Sequence, residues 1–175
     1  GALKFDYTFS KEGLKPAVDF EYAYASGDTR PTDGKINTFD PLLPFQHFYH
    51  GHADQIRWSN VHAVKLGTRI NLGGLSSSLD AFTFHTDFHA FWLASRRDGW
   101  INAGGTTVRR DPTRTVAGSG AIGSEVDVYV KGKLWKNLGV WTGWSHFFPG
   151  VFVHDTAPGN DRDQDWVFLM LSLKF

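Results

Sequence analysis

Apolar and polar residues alternate along most of this chain, with the period of a β-strand rather than a helix. In residues 3–9, Leu3, Phe5, Tyr7 and Phe9 share one side, and Lys4, Asp6 and Thr8 the other. Leu14, Pro16, Val18, Phe20, Tyr22 and Tyr24 make the next apolar row, against Lys15, Asp19 and Glu21. His62, Val64, Leu66, Thr68, Ile70 and Leu72 then oppose Lys65, Gly67, Arg69 and Asn71. Phe82, Phe84, Phe88, Ala90 and Trp92 oppose Thr83, His85, Asp87 and His89. A fifth segment sets Ile122, Val126, Val128 and Val130 against Glu125, Asp127, Tyr129 and Lys131. The sixth sets Leu138, Val140, Thr142 and Trp144 against Gly139, Trp141, Gly143 and Ser145. In residues 165–175, Val167, Leu169, Leu171, Leu173 and Phe175 form an unbroken apolar row beside the mixed Trp166, Phe168, Met170, Ser172 and Lys174. The pattern predicts about seven strands in one all-β domain spanning residues 1–175.

The connections carry a second signal. Short turns near residues 10–13, 73–78 and 132–137 alternate with long loops over about 28–58, 95–120 and 148–164. Antiparallel up-and-down transmembrane β-barrels segregate short turns and long loops in this way; soluble sandwiches do not usually do so. Asp19, Glu21, Lys65, Arg69, His85, Asp87, His89, Glu125 and Asp127 all fall on the polar rows. In a dry core each ion would need a partner, whereas a water-filled lumen keeps them hydrated. The polar face is therefore predicted to line a channel, with these nine residues setting selectivity. Tyr24, Trp92, Trp135 and Trp144 fall near strand ends, where aromatic girdles belong.

Composition narrows the function. Eighteen Lys and Arg balance eighteen Asp and Glu, so no basic excess marks the chain for nucleic acid. Cysteine is absent, which removes disulfides and thiolate metal sites. The longest apolar run, residues 166–171, is far short of the ~20 residues of a membrane helix but suits a tilted strand of ~9–11. The amino end has neither the basic start nor the apolar stretch of a secretory leader, so an exported protein would be represented here by a mature piece or a fragment.

Sites for chemistry are sparse. Gly118, Gly120 and Gly123 fit a dinucleotide-binding spacing, but a loop precedes and a strand follows, so no helix amino terminus faces a pyrophosphate. His85, Asp87 and His89 share a face, yet the two histidines lie ~13 Å apart along a strand, too far to share a metal. Ser145 and His146 are strand neighbours and point to opposite faces. His47, His50 and His52 lie in the first long loop, which is expected to fold on itself as a cap or constriction. The expectation is a protein without catalytic residues, metal or organic cofactor. Arg96, Arg97, Arg109, Arg110 and Arg114 crowd the second long loop, where they suit either an anionic polymer or phosphate, or a solvated loop contacting lipopolysaccharide.

Several blocks together resemble the bacterial alginate export family. They are residues 39–44 (Phe-Asp-Pro-Leu-Leu-Pro) leading to His50-Gly51-His52-Ala53-Asp54 and Trp58-Ser59-Asn60, residues 87–94, residues 122–127, residues 145–150, and the closing strand. An apolar strand ending in Phe also resembles the terminal strand of outer-membrane barrels, where Leu169, Leu171, Leu173 and Phe175 would be read by the barrel-assembly machinery. The resemblance implies a bacterial outer-membrane barrel of about eighteen strands, of which this chain supplies the carboxyl-terminal part. It further implies outer-membrane lipid and lipopolysaccharide as surroundings, and a polysaccharide (alginate-like) or small polar solute as cargo. The reading from a different class is a secreted carbohydrate-binding β-sandwich.

Overall fold

A computed structural model of the chain describes residues 1–42, 47–76, 79, 81–111, 113, 118–156 and 159–174, with residues 47 and 48 by backbone alone. Among these, seven antiparallel strands form one sheet in chain order: β1 (Ala2–Thr8), β2 (Ala17–Ala25), β3 (Val61–Asn71), β4 (Phe82–Leu93), β7 (Ala121–Trp135), β8 (Leu138–Pro149) and β9 (Gln164–Leu173). The second loop contributes a separate hairpin, β5 (Gly99–Ile101) with β6 (Thr107–Arg110). Helical pieces are brief: α1 (His47–His50), a 3₁₀ turn (Leu72–Gly74) and α2 (Val151–Thr156). The sheet is not closed, and β1 and β9 are its edges.

The seven strands and the segregation of long and short connections match the sequence pattern, with shifts at the ends. The second strand starts at Ala17 rather than Leu14, because Lys15 (φ 47°) turns the chain there. The fifth runs through to Trp135 and leaves a turn of only residues 136–137. The β5–β6 hairpin and α2 lie inside loops and carry no amphipathic run long enough to announce them.

One face of the sheet is apolar and uncovered. Val167 and Leu169 on β9 are 75% and 64% exposed, and Phe20, Leu66, Phe88 and Leu171 are exposed on neighbouring strands. So wide an apolar surface on one face is far beyond the scattered apolar residues of a water-soluble monomer. Tyr24, His62 and Trp92 stand in register at its loop end. A register shift between Lys133 and Trp135 rotates Trp135 onto this face at the turn end. Two facing sheets, as a sandwich requires, are absent among the described residues.

The core lies on the opposite face, at the loop end. Ala23, Ala25, Val61, Ala63, Phe91, Leu93 and Phe147 line it from the strands. Ile56 from the first loop, Trp100 from β5, and Phe152 and Val153 from α2 close it from above. The alanines leave the room that these loop side chains fill. Ile122 belongs to this core, not to the outer apolar row that simple alternation assigned it. A β-bulge, where Phe91 pairs with Gly123 and Trp92 with Ala121, turns it inward.

Candidate functional site

Below the apolar core, the inner face carries charge in transverse rows set by strand register. Lys4, Glu21, Lys65, His89 and Glu125 stand side by side on five successive strands. One step toward the turns come Asp6, Asp19, Gly67, Asp87 and Asp127. Arg69, His85 and Tyr129 follow. All nine residues expected to line the inside thus share this face. Their surroundings differ from the expected hydration, however. Arg69 is exposed, whereas Glu125 and Asp127 are 0% exposed and Glu21, Lys65, Asp87 and His89 are buried.

The first loop explains the deepest burial. It descends onto the inner face at His50, Gly51, His52 and Ala53, all buried. Gly51 (φ +86°) lies so near the Glu125 carboxylate that a Cβ would strike it, so only glycine fits. The Ala53 amide donates to Glu125 Oε1 at 2.9 Å. Asp127 Oδ2 lies 3.2 Å from both His52 Nδ1 and His89 Nε2, so a proton on either ring makes an ion pair. The His52 ring packs in an aromatic box: it stacks on Phe168 at 4.8 Å and contacts Tyr129 at 4.7 Å and Trp141 at 5.1 Å. Among the described residues, His50 has no hydrogen-bond partner for either ring nitrogen. Burial, followed by the nearby His89, pushes its pKa down to about 3, so it is neutral at physiological pH. This part of the first loop is thus a short segment lying on the inner face, held against β7 by one glycine, one amide and one histidine.

Nearer the turns the inner face opens into a cavity of about 290 Å³. The Lys65 ammonium is 2.7 Å from Asp19 Oδ1. The Tyr129 hydroxyl donates to Asp87 Oδ2 at 3.2 Å, and the Tyr129 ring stacks on His85 at 4.5 Å. Lys131 lies 4.6 Å from the centre of the Trp141 ring. His85 and Asp87 thus share Tyr129 as a neighbour, while His89 turns to Asp127. Among the described residues no group of three His, Asp or Glu side chains is arranged to hold a metal.

The sequence profile described as alginate export matches residues 2–168 of this chain. The chain belongs to the alginate export family. No match was found among curated proteins. Membership of the alginate export family supports a role in polysaccharide export associated with the outer membrane.

In this member the loop arginines do not converge on one anion site. Arg96 faces Asp111 at 3.8 Å, Arg97 donates to Thr29 O at 3.2 Å, and Arg110 lies 3.5 Å from Asp98. Arg109 donates to Asn160 O, and Arg114 lies outside the described residues. Arg97 ties the second loop to the first and Arg109 ties it to the third, while Arg96 and Arg110 form ion pairs within the second loop. Leu169, Leu171 and Leu173 form the outer row of β9, while Phe175 lies outside the described residues. Ser145 is buried inside and His146 points outward to Asp165 at 2.9 Å, so the two cannot act as a pair.

Asn60 and Asp98 organise the loops, and alternation gave no hint of either. Asn60 (φ 49°) is fully buried, donates to Ser95 O and Gly99 O, and accepts from the Ser95 amide. Asp98 accepts from the amides of Asp28 and Gly99 and from the Thr38 hydroxyl. The one signal for Asn60 is its place in the Trp58-Ser59-Asn60 block, and Asp98 has none.

Proposed function

We propose that this chain forms part of a porin-like outer-membrane channel that passes a polysaccharide, alginate-like, or small polar solutes through a charged, water-filled lumen. One observation carries the reading. A single sheet presents hydrocarbon on one face and in-register charge on the other. A bilayer with water behind it matches both faces, because lipid-facing and lumen-facing residues alternate along membrane strands. The unpaired edges of β1 and β9 support further strands completing the barrel, since single-chain bacterial barrels have even strand counts and no free edge.

Passage is passive in this proposal, without a catalytic step or cofactor. Selection comes from lumen width and from the charges of Lys65, Arg69 and Asp87, which line the cavity. Outer-membrane lipid and lipopolysaccharide surround the apolar face and the loop arginines, and the assembly machinery reads the β9 row. The test is conductance of the purified full-length protein in planar bilayers. Ohmic channels whose ion selectivity shifts in Arg69→Glu are expected; a protein that stays silent, or that is extracted without detergent, overturns the reading.

A further inference from the structure

One transverse row of the inner face is carboxylate after carboxylate. Asp6 pairs with Asp19, Asp19 with Gly67, Gly67 with Asp87, and Asp87 with Asp127. Like charges directly opposite one another destabilise a sheet, so the row calls for a cation. Gly67 is its gap. A Cβ there would strike Asp19 and sit 2.7 Å from Asp87 Oδ1, so both carboxylates converge above it. Lys65 reaches this region with a side chain only 9% exposed.

That lysine does not balance the site. Around the 290 Å³ cavity stand four acids, Asp6, Asp19, Glu21 and Asp87, against three bases, Lys4, Lys65 and Arg69. Lys4 lies 3.9 Å from Asp6, and Lys65 takes Asp19. Glu21 is left over: it lines the cavity, is 3% exposed, and neither of its oxygens has a hydrogen-bond partner among the described residues. A buried carboxylate that faces a polar cavity without a donor is a position waiting for one.

The geometry points to a binding site for a solute bearing a primary ammonium. Its three N–H groups match Glu21, Asp19 and Asp87, and its carbon chain lies against the rings of Tyr129 and Trp141. Lys65 carries the same headgroup on a tether and holds the place when no solute is bound. The site rests on the pore reading only for the route by which the solute arrives.

The probe is 1,5-diaminopentane, titrated calorimetrically into the detergent-purified full-length protein, with 1,5-pentanediol as the uncharged control. Saturable binding of the diamine and none of the diol is expected. Glu21→Gln should weaken it about tenfold, the scale of one hydrogen bond to a charged group. Lys65→Met should tighten it by a similar factor. Because Lys65→Met leaves carboxylates facing one another and endangers folding, Glu21→Gln is the deciding variant. Equal affinity in wild type and Glu21→Gln, or equal binding of diol and diamine, overturns the site. Conductance of the same preparation is scored separately. Channels without diamine binding sink the site and leave the pore; diamine binding without channels does the reverse.

Discussion

The two ends of the inner face solve opposite problems with the same sheet. At the loop end, Ala23, Ala25 and Ala63 are small, and Ile56, Trp100 and Phe152 descend to fill the space above them. Water is excluded there, so the side chains must be apolar. Toward the turns the described loop cover thins to Tyr49 and His52, a cavity remains, and the same strands carry Asp19, Lys65, Asp87 and Arg69. The boundary is the row holding His89 and Glu125, where the first loop touches down through Gly51 and Ala53. Burial on this face thus follows the reach of the loops rather than the strand pattern.

The largest expected effect breaks the sealed end. Phe147 is fully buried in the loop-end core, so Phe147→Ala should cost about 3–5 kcal/mol in urea unfolding of the lipid-reconstituted protein. A loss under about 1 kcal/mol would mean that the loops do not pack there. Next is the outer face, which the inner comparison takes as hydrocarbon-bound. Leu169 lies midway along β9, and Leu169→Arg should cost about 2–4 kcal/mol in a bilayer. Unchanged stability in lipid would remove the membrane from the account.

The effect that is smallest per unit of pH sharpens the boundary. His50 is neutral in the fold because burial holds its pKa at about 3, against 6.5 ordinarily. Between those values the unfolded chain binds a proton that the folded chain refuses. Stability therefore falls as pH drops from about 6.5 towards 3, by at most about 1.4 kcal/mol per pH unit from this group. Wild type minus His50→Gln should isolate that slope; parallel curves would show that His50 is solvated.

Alternation determined a good deal by itself: seven strands, the turn and loop ends, and which of Glu21, Lys65, Asp87 and Asp127 share a face. A strand's period of two is local, so any reader of the chain recovers it. Ile122 escaped because a bulge is a mismatch between two strands, invisible in one. The roles of Gly51, Gly67 and Asn60 escaped for a related reason. Each is fixed by an atom from a distant segment: the Glu125 carboxylate, the Asp19 and Asp87 pair, and the carbonyls of Ser95 and Gly99. The sequence settled which way side chains point, because that depends on neighbours in the chain. Whether a charge meets water, a partner or a loop was decided by the tertiary structure, because it depends on what the chain brings back to cover it.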